Sequence, residues 1–402
     1  MSRSTDPGHF FQTDASESTR ARRAAKSGNK NGNPIVLQSK ILNLVLDPFS
    51  SECVYLAESA GCVRKVNLET KDWKTVYRGP TAPVTSVAIG GHAGQTVFAG
   101  CWDKLIWSWD RESKAPGKKF KGHSDFVKAI VCAKIGGNDV RFSSALMIYR
   151  GADAKIMIWD TATGERLHTL RDSNDSMMAV QDLALDPDDS TDSEVILVSS
   201  SSDPQIRRWR ISLTSASQII NANDTAASQG KLARDTIQEH ETSVYKVIFA
   251  GDEETDLWTA SADGTAKCLS RAKNWSMEET YEHGDYVRAI GVTDAWVITA
   301  GRDEDVKIWD KATGKLWHVY DGHFEEVTAL VVSQDQKRVI SVSIDCTLRI
   351  WELGKPELEK ARKESEEKAK GVVKEVKVEP KKGLLTAEEE AELAELMDTD
   401  EE

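Results

Sequence analysis

This 402-residue chain has little with which to bind a metal, build a disulfide framework or cross a membrane. Its six cysteines (Cys53, Cys62, Cys101, Cys132, Cys268 and Cys346) stand singly, with no C-x-x-C pair. That spacing suits reduced, buried thiols better than cross-links or a zinc site. No apolar run approaches the ~18 residues that span a bilayer. The opening MSRSTDPGHFFQTD carries acids and lacks an apolar centre, which argues against a secretory signal. There is no glycine-rich phosphate cradle, no G-x-S-x-G elbow and no H-E-x-x-H helix. His9, His92, His168 and His318 are scattered singly, a poor basis for a metal site. A net charge of −13 argues against a coat for nucleic acid. The expectation is a non-enzymatic protein without cofactor or metal, in the cytoplasm, the nucleus or both.

What the chain does have is repetition. An Asp, five residues and a Trp recur in DKLIWSWD (Asp103), DAKIMIWD (Asp153), DPQIRRWR (Asp203), DEDVKIWD (Asp303) and DCTLRIWE (Asp345). Degenerate copies start at Ala60 and Asp263, the second with Leu269 in place of the Trp. Upstream of each anchor lies a short apolar segment rich in β-branched residues: ILNLVL (Ile41), VTSVAI (Val84), VKAIVC (Val127), VQDLAL (Val180), VYKVIF (Val244), VRAIGV (Val287) and VTALVV (Val327). Such segments between turn residues read as strands. Anchors and segments interleave one for one, at a period that suits a radial array of four-stranded sheets.

Over about residues 34–353 these repeats resemble the WD40-repeat β-propeller family. The expected fold is all-β: a seven-bladed WD40-like propeller with the apolar segments as innermost strands. The resemblance assigns a His, a Ser/Thr, the anchor Asp and the Trp to one hydrogen-bonded set per blade. Matching positions are His283, Thr299, Asp303 and Trp309, and His323, Ser341, Asp345 and Trp351. A third set keeps His240, Thr259 and Asp263 without the Trp, and a fourth keeps His123, Asp153 and Trp159. A hydrolase triad needs one copy, so repetition favours a structural role. The first unit, lacking its acid, is expected to rely on packing.

The remaining segments are expected to lie outside the ring or on its surface. Residues 1–33, with Arg20, Arg22, Arg23, Lys26 and Lys30, read as a disordered basic arm whose removal up to residue 30 leaves melting unchanged. The apolar run PIVLQ from Pro34 is the candidate closing strand of the last blade. Residues 213–235 read as an insert loop, and 354–383 as a charged linker or solvated helix. Residues 384–402 carry a capping-box signature at Thr386 and Glu389, with Leu393, Leu396 and Met397 on one face of an acidic helix.

The resemblance also implies that partner proteins bind the top face of the ring. Among its positions here, Trp102, Phe126, Lys128, Tyr245, Tyr286, Arg288 and Arg302 form an aromatic and basic set, the residue types that dominate binding hot spots. The expected function is a scaffold within a multiprotein complex, with no membrane contact and nucleic acid reached only through the N-terminal arm. Two alternatives are a substrate receptor of a ubiquitin ligase and a ribosome- or RNA-associated scaffold.

Overall fold

The computed structural model describes residues 14–135, 144–151, 154–172, 177–219, 236–251 and 255–369. The chain divides into two units, residues 1–357 and 358–402. The first is a β-propeller.

After β1 (Ile35–Val36) the strands run in groups of four. Sheet 1 holds β2 (Ile41–Asp47), β3 (Ser50–Glu58), β4 (Cys62–Asn67) and β5 (Thr75–Arg78). Sheet 2 holds β6 (Val84–Gly90), β7 (Thr96–Cys101), β8 (Leu105–Asp110) and β9 (Phe120–Lys121). In sheet 3 are β10 (Val127–Ile135), β11 (Ser144–Gly151), β12 (Ile156–Asp160) and β13 (Arg166–Leu170). Sheet 4 is β14 (Val180–Asp186), β15 (Val195–Ser201), β16 (Ile206–Ile211) and β17 (Ala216–Gln218). Sheet 5 is β18 (Val244–Ala250), β19 (Asp256–Ser261), β20 (Thr265–Ser270) and β21 (Ser276–Glu282). Sheet 6 is β22 (Val287–Val292), β23 (Trp296–Gly301), β24 (Asp305–Asp310) and β25 (Leu316–Asp321). Those six sheets use consecutive strands. Sheet 7 is composite: β26 (Val327–Val332), β27 (Arg338–Ser343) and β28 (Thr347–Glu352) are completed by β1. β1 pairs antiparallel with β28, Ile35 opposite Leu348, so the N-terminal segment covers an edge that would otherwise stay open.

The innermost strands contact one another in order, β2 to β6 and onward to β26, which returns to β2. Cores lie between neighbouring sheets. One joins Trp258 and Tyr281 of sheet 5 to Val287, Ile290 and Trp309 of sheet 6. Another joins Ile340 and Leu348 of sheet 7 to Ile41 and Leu44 of sheet 1. Each Val, Leu or Ile sealed this way contributes about 1.5–3 kcal/mol, so every sheet depends on its neighbours.

Two segments depart from the sequence expectation. The basic arm is not featureless: Asp14–Lys26 form helix α1, whose sequence supplies Ala, Glu and Arg, with Arg23 and Lys26 in the last turn where cations complement the helix dipole. Its cations reach sheets 6 and 7, and the chain beyond it is strapped to sheet 7. Asn29 donates to the Gly322 carbonyl at 2.9 Å, Arg349 donates to Asn29 Oδ1 at 2.7 Å, and Ile350 donates to the Gly32 carbonyl at 2.8 Å. Gly32 has φ +68° and lies flat on the Trp351 ring, where a Cβ would come within 2.7 Å. The insert at 213–235 opens with β17, whose Trp209–Gln218 pairing gives sheet 4 its fourth strand; residues 220–235 lie outside the described residues. Within the expected linker, Lys355–Ala369 form helix α2, with an i,i+4 pair between Arg362 and Glu366. Residues 370–402, including Leu393, Leu396 and Met397, lie outside the described residues.

Candidate functional site: the channel mouth

The repeated His-Ser/Thr-Asp sets assemble as hydrogen-bonded chains in three sheets. In sheet 7, His323 Nδ1 is 2.9 Å from Asp345 and Nε2 is 2.8 Å from Ser341 Oγ, which also accepts from Trp351 Nε1 at 2.8 Å. Sheet 6 repeats this: His283 lies 2.9 Å from Asp303 and 2.8 Å from Thr299 Oγ1, and Trp309 donates to Thr299 at 2.7 Å. In sheet 5, His240 lies 2.8 Å from Asp263 and 2.7 Å from Thr259; lacking the Trp, Thr259 donates to the Lys267 carbonyl. In sheet 3, His123 and Trp159 are buried and Asp153 lies outside the described residues.

Burial opposes ionisation of Asp303, but hydrogen bonds from His283 and Lys307 outweigh it and hold the carboxyl at about 2. Asp345 and Asp263 are likewise held below the ordinary range, burial again being overcome by the facing histidine. Burial drives His323 down, against the pull of Asp345. Thr259, Thr299 and Ser341 are fully buried, and the last two are already engaged by a Trp. No substrate carbonyl could reach such hydroxyls, so the sets fasten turns to strands.

Two sheets without the histidine use an arginine, which the sequence reading missed. In sheet 4, buried Arg207 bonds to Asp203 at 3.1 Å, Ser201 at 3.2 Å and Asp172 at 3.3 Å, while Trp209 donates to Ser199 at 2.8 Å. Sheet 1, expected to rely on packing, buries an ion pair: Glu58 accepts from Arg64 and from Ser39. The signal was a column four residues after each anchor, which reads Arg64, Trp107, Met157, Arg207, Lys267, Lys307 and Arg349. Most of these donate across to neighbouring turns.

The channel mouth is built by a second repeated device. Every innermost strand shifts register against its partner straight after its first residue: between Ile41 and Asn43, Val84 and Ser86, Val127 and Ala129, Val180 and Asp182, Val244 and Lys246, Val287 and Ala289, and Val327 and Ala329. A bulge leaves one extra residue and re-aims its side chain. The extra residues are Leu42, Thr85, Lys128, Gln181, Tyr245, Arg288 and Thr328, and all seven line one cavity of about 700 Å³. Its deeper wall is apolar, with Leu44, Ile130, Ile248 and Leu330.

The seven residues singled out in the sequence fall into two groups and a lysine. Trp102 and Phe126, from sheets 2 and 3, stack with ring centroids 5.0 Å apart, 44% and 38% exposed. In the other group Tyr245 and Tyr286 lie 6.4 Å apart, with Arg288 over Tyr245 at 3.9 Å and Arg302 over Tyr286 at 5.0 Å. Lys128 lines the cavity from sheet 3. The two arginines are not equivalent. Arg288 is ion-paired to Glu326, whereas Arg302 is exposed and has no carboxylate partner among the described residues. Among the described residues no cluster of three or more His, Cys, Asp or Glu could hold a metal.

Three segments, residues 72–110, 275–310 and 314–352, match the WD domain, G-beta repeat family. Those three segments carry the WD40 repeat. Along 98% of its length and 98% of the relative's, it is 28% identical to an uncharacterised WD repeat-containing protein of Schizosaccharomyces pombe. It is 24% identical to the nuclear distribution protein PAC1 of Arthroderma otae over 73% of this chain, and this match spans only 55% of that protein. A pre-mRNA-processing factor 19 homolog of Arabidopsis thaliana is 25% identical over 54% of this chain and 38% of its own. WD40 propellers typically serve as protein-interaction scaffolds, and the channel mouth of this propeller carries exposed Trp102, Phe126 and Tyr286 beside Arg302. No described helix is long and apolar enough to cross a membrane.

Proposed function

We propose that the chain is a non-enzymatic, seven-bladed interaction scaffold that holds a partner peptide at the channel mouth, within a multiprotein complex of the cytoplasm or nucleus. The observation that carries this reading is the bulge repeated in every innermost strand, which aims one side chain per sheet into a shared cavity. Aromatic rings with few rotamers to freeze, and an arginine spread on a ring face, bind a peptide at small entropic cost. The open guanidinium of Arg302 favours an acidic group on that peptide, and the apolar channel wall favours an aliphatic or aromatic side chain beside it. The C-terminal segment with Leu393, Leu396 and Met397 is a candidate second docking site. Contact with nucleic acid through the basic arm is disfavoured, because Arg22, Arg23 and Lys26 are engaged by ring carboxylates.

The test is recovery of co-purifying proteins with two double variants. Tyr286→Ala with Arg302→Glu should lose the principal partner while stability stays within about 1 kcal/mol, since exposed positions outside the buried sets carry little folding energy. Leu393→Ala with Leu396→Ala should retain it. The opposite pattern would move the working surface to the C-terminal segment.

A further inference from the structure

Glu304 follows the anchor Asp303 in a left-handed turn at φ 75°, as Lys104, Ala154 and Cys346 follow theirs at φ 70°, 58° and 66°. The Glu304 side chain is fully buried, and what encloses it includes the basic edge of α1. Arg22 and Arg23 bond to its Oε1 at 3.1 and 3.0 Å, and Lys26 Nζ lies 3.6 Å from Oε2. Oε2 is buried without a hydrogen bond. Around this pocket, Glu325 pairs with Arg23 at 2.9 Å, and Asp305 and Asp321 lie 3.4 and 2.9 Å from Lys26. Four carboxylates therefore face three cations. Burial raises the Asp305 carboxyl, with smaller contributions from Asp303 and Asp321, against the opposing pull of Lys26.

The helix is held to the ring by charge. No described side chain of α1 falls in the buried class, and the contacts given above are ion pairs. Those of Arg22 and Arg23, 52% and 37% exposed, weaken with salt.

From this we infer that the rim of sheets 6 and 7 is a docking surface for a basic helix with cations at positions i, i+1 and i+4, and that α1 is its resident occupant, displaced when a partner supplies a better-fitting helix of the same pattern. The resident fit is incomplete because Lys26 presents a point charge where an arginine would present a fork to Oε2. Displacement leaves Asn29 and Gly32 in place on sheet 7, so the ring stays closed while its rim is exchanged. The surface is separate from the channel mouth, and the inference stands whether or not a peptide binds there.

A fluorescein-labelled peptide of residues 14–30 tests this in trans by anisotropy against the full-length protein. The R22A/R23A/K26A variant, with its own helix disarmed, should bind the peptide at least ~10-fold more tightly than the wild type, because the rim is no longer occupied in cis. Adding E304Q and E325Q to that variant should abolish binding, and a peptide of the same composition in scrambled order should not bind. Equal affinity for wild type and the disarmed variant, insensitivity to E304Q and E325Q, or equal binding of the scrambled peptide would overturn the inference. If the disarmed variant fails to fold, amide exchange of residues 14–26 in the full chain decides. It should slow in K26R and accelerate from 50 to 500 mM salt; exchange unmoved by either would overturn the inference.

Discussion

Arg207, on the third strand of sheet 4, and His323, before the first strand of sheet 7, meet burial with opposite chemistry. A histidine can shed its proton, and burial drives His323 that way, so one carboxylate and one hydroxyl satisfy it. An arginine stays charged and therefore requires the two acids Asp172 and Asp203. The consequences of mutation differ accordingly. Asp345→Ala should cost about 2–4 kcal/mol by chemical denaturation, since it removes the carboxylate to which both the buried His323 ring and the Thr347 hydroxyl bond. Arg207→Met alone should cost about 3–5 kcal/mol by removing the cation that faces the Asp172 and Asp203 carboxylates. Combining it with Asp172→Asn should recover a measurable part of that loss. Additive single and double effects would mean that the two residues do not form an energetic pair.

At the level of elements, the N-terminal strap carries stability that composition concealed. Removing residues 1–30 takes away Asn29, an acceptor for the buried Arg349 guanidinium, as well as all of α1. That truncation should lower the melting temperature by several degrees, and removal of 1–39, which also deletes β1, should yield aggregating protein. Equal melting of the 1–30 truncation and the parent would show the strap to be passive. The strands themselves were legible to the residue: β2, β6, β10, β14, β18, β22 and β26 begin at Ile41, Val84, Val127, Val180, Val244, Val287 and Val327, as the β-branched segments indicated. Such segments report their own conformation because packing on both faces selects their residues. The strap gave no such signal, since its structure is imposed by carboxylates nearly 300 positions away. β17 was hidden for a related reason, as the short stretch Ala216–Gln218 becomes a strand only beside β16. The aromatic positions of the mouth were readable from their place in the repeat. The bulges that aim their neighbours inward were not, because register is a property of two strands and not of one.

For the whole molecule, the buried sets should make acid the main enemy. A carboxyl held at about 2, as Asp303 is, adds stability that is fully present above its unfolded value near 4 and lost as pH falls between the two. Asp345 and Asp263 act in the same direction. His323, held neutral, adds an earlier term: below about pH 6.5 the unfolded chain takes up a proton that the folded one refuses. Denaturation midpoints should thus decline gently from pH 7 to 5 and steeply below 4, whereas the Asp303→Asn variant should show a shallower acid limb. Ring closure has a further consequence, one of timing. Ile35 leaves the ribosome about 310 residues before Leu348, its pairing partner, which at about 5–20 residues per second is a wait of roughly 15–60 s. Through that interval six sheets can form while β1 has no edge to join. The short, proline-preceded IVLQ segment, too brief to template aggregation, is what a strand must look like to survive so long unaccompanied.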